Sequence, residues 1–263
     1  IQRLEPVGFW HMAHSFVRGN WRNTAASGPM LLTKSCHDID WIAHLMDDAP
    51  CQAVSSFGSL KHFRAEEAPV GAGARCTDCA VEATCPYSAK RIYLEALRRG
   101  HTGWPVDVLT PDPTESSVLA ALQEGPYGRC VYGCDNDVVD HQVVQMQFPG
   151  GRTATFTMMA FTKMAHRKTE IFGTRGQLTG DGRYIHHYDF MTDETTTIDT
   201  EASDASILGG HGGGDFGVMD AFIRAVATQD GRHILSGPDA TLASHLLVFA
   251  AEQARREGRV VRL

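Results

Sequence analysis

The sequence predicts an α+β fold: a large, mainly antiparallel, open-faced sheet with helices packed on one face. Three observations carry this. Short strand-like runs with Gly-containing breaks crowd between residues 137 and 200. Helical patterns stand before and after them, and the regular strand–helix alternation of a parallel sheet is missing. No repeat, low-complexity tract or composition shift divides the 263 residues, so a single domain over 1–263 is expected. A formal charge of −7 leaves no basic face for nucleic acid. No run approaches the ~18 apolar residues of a membrane span. The chain opens on Ile1, without a secretory leader pattern, which suggests a piece of a longer polypeptide or a chain whose leader was removed. Seven cysteines, an odd number, fit reduced thiols or metal ligands in a cytoplasmic protein better than a disulfide framework.

Taken in order, residues 6–16 are rich in aromatic and aliphatic side chains and read as a strand, and 20–26 as a polar loop. Ser27 and Pro29 signal a helix start, and the helix is expected to run to about Asp47. Leu32, Cys36, Ile39, Ala43 and Met46 recur at helical spacing as its core face. Residues 51–60 read as a strand. Residues 62–87 lack periodicity and hold three cysteines; a bare connection of that length needs something to order it. Residues 88–99 form a helix stopped by Gly100. Asp112-Pro113-Thr114-Glu115 starts a short capped helix that ends at Gly125. Residues 137–148 and 152–162 form a hairpin about Pro149-Gly150-Gly151, followed by short strands at 168–172, 177–180, 183–190 and 195–200. A Gly-rich loop covers 202–214. Helices at 215–228 and 239–256 follow, with Gly258 past the end and an edge strand at 260–263.

The chemistry concentrates in Thr33-Lys34-Ser35-Cys36-His37-Asp38-Ile39-Asp40-Trp41. On a helix, Lys34, His37 and Trp41 share one stripe, with Thr33 a turn before His37. A histidine exchanges protons near neutral pH, and an adjacent lysine can hold an oxyanion or lower the histidine's pKa. The pair suits proton transfer at a substrate hydroxyl; the plain alternative is a solvated helix face.

A second constellation, Cys76-x-x-Cys79-x5-Cys85, offers three soft ligands to one tetrahedral zinc. Cys36, His62, Cys134 or a solvent atom are candidates for the fourth. The alternative is cysteines that merely pack. Cys130 and Cys134 read as buried small apolar residues. In His211-Gly212-Gly213-Gly214-Asp215, Asp215 can cap the following helix and His211 can reach sugar hydroxyls, unless the run is only a flexible loop. His141, on a strand of the hairpin, faces a pocket or sits on the open sheet.

Gly28 to Asp40 resembles the motif opening the first long helix of the C-terminal domain of Gfo/Idh/MocA oxidoreductases. Residues 8–16, the hairpin at 138–161, the Gly173-Thr174-Arg175-Gly176 turn and the closing helices extend the likeness. The resemblance implies that His37 is the acid/base group lining the substrate pocket and that Asp40 matches the trailing Asp of the motif. Thr33 stands where the family has an Asp, which turns the partner role to Lys34. Thr33, Asp40, Trp41, His141 and His211 become substrate-binding candidates. The implied parent is an NAD(P)-dependent oxidoreductase of a sugar, inositol or related polyol, and a homo-oligomer through its open sheet face. NAD or NADP would be held by the protein's own N-terminal Rossmann domain, because neither its Gly-x-Gly-x-x-Gly turn nor a Glu-Lys-Pro segment occurs here. Gly71-Ala72-Gly73 does not supply that turn. The cysteine cluster resembles an insertion in one branch of the family. Two rival functions are an NAD-dependent glycosidase of the same family and a non-catalytic sugar-binding or assembly module.

Overall fold

The computed structural model describes residues 1–46, 49–200 and 214–263. They form an α+β domain on a nine-stranded sheet, ordered β8-β7-β6-β5-β1-β4-β3-β2-β9. The strands are β1 (Gln2–Pro6), β2 (Ala53–Ser59), β3 (His141–Gln147), β4 (Thr153–Met159), β5 (Lys168–Phe172), β6 (Gly176–Gly180), β7 (Tyr184–Asp189), β8 (Glu194–Asp199) and β9 (Val261–Arg262). Every pairing is antiparallel except β1 with β4. The two-residue β9 closes one edge, as the last residues of the sequence suggested.

Alternation sets the two faces. Gln142, Val144 and Met146 of β3 and Ala154, Phe156 and Met158 of β4 are buried, while Val143, Gln145, Thr155 and Thr157 point the other way. Two long helices cover the buried side: α3 (Met30–Leu45) and α7 (Pro238–Glu257), which also pack on each other. The opposite side is open. Gly258 ends α7 at φ 64°, the left-handed conformation that glycine adopts without steric cost.

The structure corrects several expectations. Residues 6–16 are not a strand: the chain leaves β1 at Pro6 and turns into a helix, α1 (Phe9–His11), that continues as a π-helix over Met12–Arg18. All seven residues Met12–Arg18 are buried, so this is a core segment with no exposed face to give it an amphipathic period. Within 20–26 a short helix, α2 (Thr24–Ser27), forms because the Asn23 side chain accepts from the Ala25 and Ala26 amides. The face α3 buries is rotated from the expected one. Leu31, Ser35, Asp38, Ile39 and Ile42 lie inside, while Leu32, Cys36 and Ala43 are half-buried. One helical stretch, Gly231–Glu257, has the length and apolar composition to cross a membrane, which no run was expected to have. Its α7 portion buries Leu247, Val248, Ala251 and Ala254, and α7 packs against α3 and β2.

Residues 62–87 form three short 3-10 turns, held at both ends by an aromatic cluster of His62, Phe63, Tyr87, Tyr132 and Phe161. The buried Asp140 carboxylate accepts the Lys61 and His62 amides at 2.9 and 2.7 Å, fixing where that segment begins. The helix expected next is a π-helix over Lys90–Leu94 running into α4 (Glu95–Arg98). The capped helix is α5 (Glu115–Glu124), followed after the sheet strands by α6 (Gly214–Thr228).

Candidate active site on the first long helix

Two turns bring the site together. At Gly28, φ 97° lets the chain reverse from α2 into α3. At Gly8, φ 88° and close approach coincide, because a Cβ there would stand 2.6 Å from Met164 Cβ. The backbone of residues 7–9 is tied to Met159 and Thr162, so the segment carrying Arg167 lies along β1 and over α3.

A buried charge cluster results. Asp38 is fully buried on the inner face of α3. It accepts from Arg3 Nε at 2.7 Å and from Arg167 Nε at 2.7 Å. Glu5, also buried, lies 3.3 Å from Lys34 Nζ and 2.8 Å from Arg167 Nε. Such charges persist inside only when each meets an opposite one. The Arg3 guanidinium also stacks over Trp41, 4.1 Å from the ring centroid.

His37 stands at the solvent edge of this cluster. Its Nε2 faces Arg167 Nη2 and lies 3.5 Å from Asp38 Oδ2. Desolvation lowers its pKa first. Asp38 opposes that shift, while Arg167, Lys34 and Arg3 add to it. The ring is therefore neutral at pH 7. His11 is lowered further, to about 3, by burial and then by Lys34, and it keeps an uncharged ring beside the lysine. Next to the cluster opens a groove of about 420 Å³, lined by Arg3, Trp41, His166, Arg167, Arg183 and Tyr184 among others.

The expected residues separate into three groups. Lys34, His37 and Trp41 come together at the cluster. Thr33 and Asp40 are half-buried on the same helix, and the Thr33 hydroxyl donates back to the Pro29 carbonyl at 3.4 Å. His141 lies on the face of β3 opposite Gln142, away from α3. There its Nδ1 pairs with Asp140 Oδ1 at 2.9 Å, so it does not join this site. His211 falls outside the described residues. Sequence reasoning missed Arg3, Glu5, His11, Asp38 and Arg167. Asp38 had a signal, since it falls on the line Leu31, Ser35, Asp38, Ile42; Arg167, 129 residues from Asp38, had none.

Cys76, Cys79 and Cys85 line one small cavity of about 20 Å³ together with Cys130. Among the described residues, no three His, Cys, Asp or Glu side chains stand close enough, as placed, to hold a metal ion. The candidates for a fourth ligand are elsewhere: Cys36 is on α3, His62 meets the Tyr132 hydroxyl at 3.1 Å, and Cys134 Sγ donates to the Cys130 carbonyl at 3.2 Å.

Comparison with known proteins agrees with this architecture. The sequence profile described as the oxidoreductase family (Gfo/Idh/MocA), C-terminal alpha/beta domain, matches residues 5–263. No curated protein sequence matches. Among solved structures, a levoglucosan dehydrogenase in complex with NADH and levoglucosan is similar at TM-score 0.57 and 14% identity, over 99% of this chain and 57% of that one. An aldose-aldose oxidoreductase from Caulobacter crescentus, complexed with glycerol, gives TM-score 0.54 and 15% identity over 100% and 55%. The super-repressor mutant of Gal80p from Saccharomyces cerevisiae gives 0.54 and 9% over 99% and 56%. The chain thus spans little more than half the length of these structures.

Proposed function

We propose a function from one premise: the chain belongs to the Gfo/Idh/MocA oxidoreductase family, as its C-terminal alpha/beta domain. In this reading, residues 1–263 form the substrate side of a cytoplasmic NAD(P)-dependent oxidoreductase that acts on a sugar, inositol or related polyol. The solved relatives that carry levoglucosan with NADH, or glycerol, support that substrate class. The described residues contain no strand–glycine turn–helix cradle for a dinucleotide, so they do not fit NAD(P). The nicotinamide, which would accept the hydride, is assigned to an upstream Rossmann domain, and only the proton half of the reaction falls to this chain.

The observation that carries the reading is His37 beside Lys34 and Asp38. To take the proton of a substrate hydroxyl at Nδ1, the neutral ring must carry its own proton on Nε2, turned from Arg167 toward the Asp38 carboxylate 3.5 Å away. Asp38 supplies the carboxylate that position 33 lacks. In the contact the structure shows, Arg167 donates to Nε2, so the ring proton sits on Nδ1 and serves as a donor to a carbonyl oxygen. Lys34, anchored by Glu5, adds positive charge beside the oxygen that loses its proton. Trp41 and the groove would hold the rest of the sugar.

The test is His37→Ala in the protein carrying its cofactor domain. Turnover is expected to fall by roughly 10²-fold or more, the usual size for a lost acid/base group. Unchanged turnover across pH removes His37 from the mechanism.

A further inference from the structure

We propose that Cys76, Cys79, Cys85 and Cys130 form a four-thiolate site for one zinc ion, set against the buried guanidinium of Arg18. The four cysteines come from two stretches about 45 residues apart, and the fold turns them around one cavity of about 20 Å³. That space holds a single ion or water, far less than an iron–sulfur cluster occupies. Spacing alone gave three ligands; Cys130 completes the tetrahedral set that structural zinc prefers.

Two observations point to negative charge on the sulfurs that line the cavity. Arg18 is 1% exposed and lines the same cavity. Its Nε donates to the Arg129 carbonyl at 2.7 Å and its Nη2 to the Tyr87 carbonyl at 2.9 Å and to Cys76 Sγ at 3.4 Å, while Nη1 has no partner. Each of these acceptors is neutral as long as Cys76 keeps its proton. A buried guanidinium without a counter-charge is costly. Four thiolates around a divalent zinc carry two negative charges, which Arg18 offsets in part.

The second observation is the set of amides aimed at sulfur. Gly73 N–H donates to Cys79 Sγ at 3.3 Å. The Tyr87 and Tyr132 amides, each two residues past a cysteine, also donate to the Cys85 and Cys130 sulfurs. Amide donors to a thiolate orient it and tune its basicity, as outer-shell groups do at metal sites.

As placed, no three of the sulfurs stand close enough to hold one ion, so binding would have to draw them inward. Each thiol releases its proton as its Zn–S bond forms. The aromatic cluster orders residues 62–63 and 87, and the zinc would order the span between. Softer thiolate ligands favour zinc over magnesium, calcium or manganese.

The experiment is metal analysis of the protein purified without chelator from zinc-supplemented growth. About one zinc per chain is expected, with an X-ray absorption spectrum of four sulfur neighbours at ~2.3 Å. In chelator competition, Cys130→Ser is expected to weaken zinc by at least about 10-fold, and Cys134→Ser to leave it unchanged. The wild-type spectrum decides the matter even where a variant fails to fold. Four outcomes overturn the proposal: metal near zero with freely alkylated thiols, a disulfide among the four cysteines, nitrogen or oxygen neighbours around the zinc, or equal affinity in Cys130→Ser.

Discussion

Removing Asp38 from water costs several kcal/mol unless its charge is met, and Arg3 and Arg167 meet it at 2.7 Å each. The carboxylate therefore joins β1, α3 and the segment after β4 at one point. Asp38→Ala strands two guanidinium groups with only Glu5 to balance them. We expect a loss of about 3–5 kcal/mol in stability, read from urea midpoints at constant slope. A loss under about 1 kcal/mol would mean that water reaches the cluster. His37 gives a pH prediction whose sign follows from its neighbours. Its pKa is depressed below the ordinary value of about 6.5, so the ring is neutral above that pH and gains its proton only further down. Activity in the oxidising direction should hold through pH 6.5 and fail as the pH drops through the lowered value. Arg167→Met removes a positive charge that lowers this pKa, so the acid limb of kcat/KM should move to higher pH. An unmoved limb would assign that limb to another group.

The helix stops at Gly100, Gly125 and Gly258 and the start at Thr114 were legible because their signals are local. Ser27, by contrast, ends α2 and does not start α3, and Asp215 lies inside the first turn of α6. Thr114 caps α5: its hydroxyl accepts the Ser117 amide at 3.1 Å, while Ser117 Oγ accepts the Thr114 amide at 2.9 Å. Thr114→Ala should cost about 1 kcal/mol, and Thr114→Ser much less, by thermal unfolding. Equal losses would mean that the methyl group, not the cap, matters. The strands from β5 to β8 were equally plain: Gly173, Gly180 and Gly182 break the run between β5 and β7, and the polar turn Thr192-Asp193 separates β7 from β8. The first helix was not. Phe9, Trp10 and Phe16 are strand-formers by composition, and a segment buried on every side, as Met12–Arg18 is, shows no helical period in its sequence. The inner face of α3 was misread for a related reason. It contains Ser35 and Asp38, which a search for apolar spacing passes over, while the half-buried Leu32 and Cys36 attract it. The site was legible in His37, Lys34 and Trp41, which share a helix. It was illegible in Arg3, Glu5 and Arg167, which only the fold brings to α3.

At the scale of the whole molecule, one face of the sheet and one helix remain uncovered among the described residues. On α6, Phe216, Met219, Phe222, Ile223 and Val226 are all exposed, an apolar surface of the kind that marks a contact with another domain or chain. On the open side of the sheet, Phe57 of β2 is 65% exposed and lies in register with Val143, which lies in register with Thr157 and through it with Leu4. Alternation places this row of side chains on the face that α3 and α7 leave free. Phe172 and Tyr188, both exposed, continue it toward β8, in register with Gln177 between them. The row crosses the sheet from β2 to β7 with few charges, and Glu170 and Lys168 on β5 are its main polar interruption. A second copy laid across the β2–β3–β4 part of this face would cover aromatic and β-branched side chains and leave Lys168 and Glu170 of β5 beyond its edge. Phe57→Lys places a charge in the middle of the β2–β3 part of that surface, while no helix packs on it in the monomer. The expected outcome is a smaller species by light scattering, with the folded-state circular dichroism unchanged. A mass equal to that of the unsubstituted protein at the same concentration would speak against a subunit contact on the open sheet, and the apolar face of α6 would be the next surface to substitute.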